Sequence, residues 1–167
     1  MVATEKELFT LLDELKIKTT TFHHPPLFTV EESQGLRGEI TGGHCKSLFL
    51  KDKKNNFILA IMSEDRRLDM KALFKSGLLD VGRLSFASED KMIDILGIKP
   101  GSVTPFSLIN VKHKELIVVL DKTMMDHEFL NYHPLHNEAT TTIHSDDLIK
   151  FIKHFGFNPI MIDFDNL

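Results

Sequence analysis

The sequence predicts one domain of mixed α/β class, an α+β fold with a largely antiparallel or mixed sheet flanked by helices. Three observations predict it. Apolar stripes at helical spacing alternate with β-branched and aromatic runs along the whole chain. Neighbouring strand segments are joined by connections of hairpin length. The 167 residues, 42% of them apolar, suit a single core spanning 1–167, with no repeat, low-complexity tract or linker.

Thr4-Glu5-Lys6-Glu7 is a capping-box pattern, and Leu8, Leu11, Leu12 and Leu15 follow at helical spacing, which predicts a first amphipathic helix. Residues 19–23 read as a strand, broken by His24-Pro25-Pro26 because proline lacks a donor and restrains its predecessor. Thr29 to Glu32 offers a second capping box and a short helix ending near Gly35. Residues 46–51 and 57–62 form a predicted hairpin around Asp52-Lys53-Lys54-Asn55-Asn56. A helix is expected over 68–76, stopped at Gly77, then a short strand over 83–86. Ser88 caps a helix that ends at Gly97. Residues 106–110 and 115–121 read as two further strands, and 139–143 as a threonine-rich one. Ser145 caps a last helix carrying Leu148, Ile149, Ile152 and Phe155, and 159–164 closes as a strand.

Composition excludes several classes. A net charge of −4 argues against a broadly basic nucleic-acid binder, though not against a protein gripping one end of an RNA. One cysteine, Cys45, allows no internal disulfide, which suits a reducing compartment. No run approaches the length of a membrane span and the N-terminus lacks a signal-peptide pattern, so a cytoplasmic protein is expected. Neither GxxxxGK[ST] nor GxGxxG occurs, so nothing supports nucleotide hydrolysis or dinucleotide chemistry.

Metal chemistry is not expected. His133 and His136 enclose Pro134, which forbids an ordinary helix, and His44 and Cys45, being adjacent, point to opposite faces of a strand. Cys45 lies between His44 and Lys46, which could lower a thiol pKa, but a lone cysteine at a strand start reads first as a packing residue. Lys46 opens an apolar run, so its ammonium belongs at a sheet rim rather than on a free loop. Gly101-Ser102-Val103-Thr104-Pro105-Phe106 can present backbone N–H groups to an anion. Asn131-Tyr132-His133-Pro134-Leu135-His136-Asn137 is a loop dense in polar side chains.

Lys46-Ser47-Leu48-Phe49-Leu50-Lys51-Asp52, the Gly101–Phe106 segment and His133-Pro134-Leu135-His136-Asn137-Glu138-Ala139-Thr140-Thr141, with His24-Pro25-Pro26-Leu27-Phe28-Thr29-Val30-Glu31-Glu32 upstream, resemble the motif blocks of the YbaK/ProX editing superfamily, in order. The branch they most resemble is the freestanding Ala-tRNA(Pro) deacylases. The resemblance implies a partly barrel-like sheet and hydrolysis of mischarged aminoacyl-tRNA in trans. It implies no metal or other cofactor and no covalent intermediate. It assigns Lys46, Gly101 and His133 to the chemistry. For substrate binding it points to Phe28, Thr29 and Cys45 around a small amino-acid pocket, with Ser47, Ser102, Thr104, Pro105, Asn137 and Thr140. The implied partners are the acceptor end of tRNA(Pro) and, for delivery, prolyl-tRNA synthetase or an elongation factor. Ser47 and Glu138 depart from the family's common Asn and Thr, which touches fine contacts to the acceptor end rather than the reaction class. A Cys-tRNA(Pro) or Ser-tRNA deacylase, or a binding module without activity, are the alternatives.

Overall fold

The computed structural model describes residues 2–26 and 40–167. Eight strands form one mixed sheet: β1 (Thr19–His23), β2 (Gly43–Lys51), β3 (Phe57–Ser63), β4 (Ser85–Phe86), β5 (Ile117–Asp121), β6 (Phe129–Tyr132), β7 (Ala139–His144) and β8 (Ile160–Ile162). Their order is β1-β7-β6-β2-β3-β5-β8, with the short β4 paired to the far end of β2. The pairs β2–β6, β3–β5 and β5–β8 are parallel; the others are antiparallel.

The capping box at the start of α1 (Glu5–Glu14) is formed: the Glu7 amide donates to Thr4 Oγ1, and Glu7 Oε1 accepts from the Thr4 amide. Leu8 and Leu12 of that helix are buried. Together with α4 (Ser145–His154) and a 3-10 helix (Pro105–Asn110), α1 covers one sheet face around Phe49, Leu59, Ile61, Leu120 and Ile143. The opposite face is covered only over β2, β3 and β5, where α2 (Met70–Lys75) and residues 79–84 pack on Leu50, Ile58, Ala60 and Met62. Over β1, β7 and β6 that same face carries Thr20, Phe22, Thr140, Thr142, Asn131 and His133, by strand alternation.

Four expectations are corrected. Residues 106–110 are not a strand: Pro105 fixes N1 of a 3-10 helix, and Thr104 caps it by accepting from the Phe106 amide at 3.3 Å. Phe106 and Leu108, whose alternation suggested a strand, are both buried beneath that helix. Asn131 and Tyr132, expected as the start of a loop running to Asn137, belong instead to β6 between β2 and β7. The helix begun at Ser88 keeps α geometry only over α3 (Glu89–Lys91) and continues as a π-helix (Met92–Leu96) before Gly97 stops it. The cap of α4 is also one residue earlier than expected, His144 Nδ1 accepting from the Asp146 amide. The short helix expected from Thr29 lies outside the described residues.

The hairpin between β2 and β3 is closed by a buried carboxylate. Asp52 accepts from the amides of Lys54, Asn56 and Gly82 and from Asn56 Nδ2, at 2.8–2.9 Å. Burial by itself would raise its pKa, but these four donors outweigh it and hold the carboxyl down to about 2. A depressed carboxyl stabilises the fold above its unfolded value of roughly 3.9. That contribution fades as the pH falls toward the folded value. Urea titrations of the wild type should therefore show stability dropping between about pH 4 and pH 2, with Asp52→Asn flattening that fall.

Candidate active site

The site follows from where β2 leaves β6. Parallel pairing joins only Gly43 to Leu130 and His44 to Asn131. Tight approach there is permitted by Gly42, whose φ is +96° and where a Cβ would sit 2.8 Å from the Phe129 carbonyl oxygen. The next position still touches, because Cys45 meets the side chain of Tyr132. Continuing the register one step further sets Lys46 of β2 level with His133, just past the end of β6. Both project to the face opposite α1 and α4, where Lys46 stands at the margin of the part covered by α2 and His133 beyond it.

His133 is held by its own strand pair. Nδ1 donates to the Ala139 carbonyl at 2.9 Å, so the neutral ring keeps Nε2 as an acceptor. Burial lowers its pKa; the bond to Ala139 works the other way, and nearby His24 and His136 add to the lowering. The ring is therefore neutral at pH 7. An activity that uses Nε2 as acceptor should be flat from neutral to alkaline pH on this group's account. It should fall only below the ordinary histidine range, and His133→Gln should remove that acid limb from the pH–rate profile.

His24 stands 6.3 Å from His133, ring centroid to centroid. Its Nδ1 donates to the Pro25 carbonyl and its Nε2 accepts the Thr140 hydroxyl proton, each at 2.8 Å. Both nitrogens of His24 are thus occupied, and its part is to fix Thr140 and the wall beside His133. Asn131 is buried, donates to the Thr41 and Gly43 carbonyls, and accepts from Thr142 Oγ1. His24 and Asn131 were not expected as site residues. The signal was present in the alternation of Asn131 and His133 with Leu130 and Tyr132.

Lys46 is half-buried. Desolvation lowers its pKa, while the carboxylates of Glu64 and Asp65 act to raise it. Glu64 is itself buried, at the end of β3, and its amide donates to the His44 carbonyl at 2.9 Å. Lys46 is thus a cation poised between water and protein, with acids behind it.

The other expected residues divide. Extending the ladder register puts Thr140 and His133 level with Lys46. Cys45 and Ser47 alternate to the opposite side of β2, toward Phe49 and the helix-covered core. Burial pushes the Cys45 thiol up to about 12, and its Sγ contacts the Gly43 carbonyl at 3.4 Å, so it is a packing thiol and no nucleophile. Ser47 Oγ is buried without a hydrogen-bond partner among the described residues. Thr104 and Pro105 are buried and consumed in starting the 3-10 helix, which removes them as substrate contacts. The Ser102 amide closes a turn onto the Lys99 carbonyl, so it is not the anion donor expected of it. Gly101 is exposed at φ +87°. The turn lies on the core side of the strands, joined to the Cys45–Tyr132 row through Phe106, whose ring meets Tyr132 edge-on at 6.2 Å. Asn137 is half-buried in the loop after His133. Phe28 and Thr29 lie outside the described residues. Among the described residues, no cluster of three metal-ligating side chains occurs.

Comparison with known proteins bears on this geometry. The model of the aminoacyl-tRNA editing domain matches residues 24–151, which include His24, Lys46, His133 and Thr140. The chain is 36% identical over 162 residues to mouse prolyl-tRNA synthetase associated domain-containing protein 1, covering 95% of each. It is also 36% identical over 146 residues to the prolyl-tRNA editing protein ProX of Acetoanaerobium sticklandii, covering 87% of this chain and 88% of that one. In fold it resembles a crystal structure described as a candidate trans-editing enzyme for prolyl tRNA synthetase, with a TM-score of 0.69 over 98% of both chains at 17% identity. Two curated relatives matched over most of their length, and a family model spanning the cleft between β2 and β6, lead to one conclusion: the chain belongs to the aminoacyl-tRNA editing domain family.

Proposed function

We propose that this aminoacyl-tRNA deacylase acts in trans on Ala-tRNA(Pro), releasing alanine and free tRNA. The observation that carries the reading is the row Lys46–His133–Thr140 at the point where β2 parts from β6, in a chain of the editing-domain family. The resemblance to ProX over most of the chain supports the choice of a prolyl-tRNA.

The chemistry is ester hydrolysis. Water attacks the acyl carbon, negative charge gathers on the carbonyl oxygen, and the bond to the ribose oxygen breaks. Lys46 supplies positive charge to the substrate from a partly desolvated position, where charge counts for more than in water. The neutral His133 offers Nε2 to a ribose hydroxyl and so orients the terminal adenosine. The vicinal hydroxyl of the tRNA assists the water, which dispenses with a strong protein base. Selectivity is needed because a synthetase pocket built for proline discriminates against a smaller side chain by only about 1–3 kcal/mol, and a second, size-excluding site supplies the remainder. Prolyl-tRNA synthetase or an elongation factor would deliver the substrate.

The test is to incubate the protein with tRNA(Pro) charged with Ala, Cys, Ser or Pro and to follow ester loss from each. Loss of Ala with Pro preserved supports the reading. Loss of Cys or Ser but not Ala reassigns the substrate, and loss of none makes the chain a tRNA-binding module.

A further inference from the structure

Beside the catalytic row runs a groove of about 310 Å³, lined by Thr20, Thr21, Phe22, Ile40, Thr41, Phe129 and Thr142. We propose that this groove, with Phe22 at one end and Phe129 at the other, is a stacking subsite for two unpaired nucleotides at the 3′ end of tRNA. The inference deepens the reading above and rests on tRNA being the substrate.

Both rings stand on the uncovered face and are strongly exposed for phenylalanine, 40% for Phe22 and 42% for Phe129. Each is nevertheless braced. Phe22 stacks on His24 with centroids 6.3 Å apart and planes 28° apart, and Phe129 meets His144 edge-on at 5.5 Å. A braced aromatic ring with an open side is what a base requires for stacking. The ladder gives their separation. Phe22 is level with Thr140, and so with His133, whereas Phe129 is level with His144, four residues back along β6 and two strands from β1. Rises of about 3.3 Å per residue and strand spacings of about 4.8 Å put them roughly 13 Å apart along the strands and roughly 10 Å across. One base cannot touch both rings, so the two ends take different nucleotides.

Direction follows from the neighbours. The Phe22 end adjoins His24, His133 and Thr140, so it receives the terminal base, whose sugar bears the ester. The Phe129 end receives a preceding nucleotide. Between them the hydroxyls of Thr20 and Thr41 can donate to or accept from a base edge or 2′-hydroxyl, and Thr142, whose proton goes to Asn131, can accept. None of the lining residues is charged, so the groove binds by stacking and not by gripping phosphate.

The experiment measures binding of two uncharged probes over a range of salt: whole tRNA(Pro), and the same tRNA lacking its last three nucleotides. Stacking is worth about 1–3 kcal/mol per base, so Phe22→Ala and Phe129→Ala should each weaken whole-tRNA binding roughly 5- to 150-fold. Binding of the truncated tRNA should not change, nor should the salt slope. Phe22→Tyr and Phe129→Tyr should retain the affinity, which separates a lost stacking face from misfolding. Equal binding of the two probes by the wild type, or alanine variants that bind whole tRNA normally or change the salt slope, would overturn the proposal. Because neither probe carries an amino acid, the subsite stands or falls independently of whether any charged tRNA is hydrolysed.

Discussion

Lys46→Ala is expected to slow hydrolysis of Ala-tRNA(Pro) about 100- to 1,000-fold under single-turnover conditions, the loss typical of removing one group that stabilises transition-state charge. The side chain stands at the open end of the β2–β6 pair and is half-buried, so the circular-dichroism spectrum and unfolding midpoint should stay close to wild type. Desolvation moves its pKa below the ordinary lysine value. The wild-type rate should accordingly fall with rising pH at a lower value than a free lysine would give. Lys46→Arg should hold its rate to higher pH, because a guanidinium does not deprotonate there. Its planar fork fits the site less well, so the plateau should be lower. Full activity in Lys46→Ala would remove this residue from the mechanism.

Asp121→Ala should be the most destabilising single change outside the apolar core, by about 3–5 kcal/mol. Asp121 is wholly buried at the end of β5. Its Oδ2 accepts from Arg66 Nε at 2.8 Å and from the Ser63 amide at 3.1 Å, and its Oδ1 accepts from the Thr123 amide at 3.1 Å. Arg66 reaches onward to Asp165 at 2.9 Å, which ties the chain after β3 to the last 3-10 helix (Phe164–Asn166). Removing the carboxylate leaves a largely buried guanidinium with one of its two carboxylate partners gone and two amides unpaired. At roughly 2–4 °C per kcal/mol for a domain of this size, a melting temperature about 10 °C lower is expected. A shift within 2 °C of wild type would show that water replaces the carboxylate at little cost.

How legible each part was depends on how local its cause is. The box at Thr4 and Glu7, the turn around Asp52 and the stop at Gly97 are set by residues a few positions apart, and all three were readable. Residues 106–110 misled because Phe106 and Leu108 alternate as a strand would, while Thr104 and Pro105 had already committed the backbone to a helix start. The strand β6 was hidden because Asn131 and His133 face outward among polar neighbours and so imitate a loop. In the site, Lys46, His133 and Thr140 were legible through their motif blocks. That Cys45 and Ser47 face the core while Lys46 faces away follows from the pleat of β2, but which side holds the substrate is decided by where the helices pack. Nothing local to Lys46 discloses that.

The order of strands across the sheet bears on how the protein is made. β1 is completed only by β7, and β2, though paired at once with β3, meets β6 only near the other end of the chain. While the ribosome is still adding the middle of the molecule, Lys46 has no His133 beside it and His24 has no Thr140. A nascent chain therefore holds no working cleft until nearly everything has emerged.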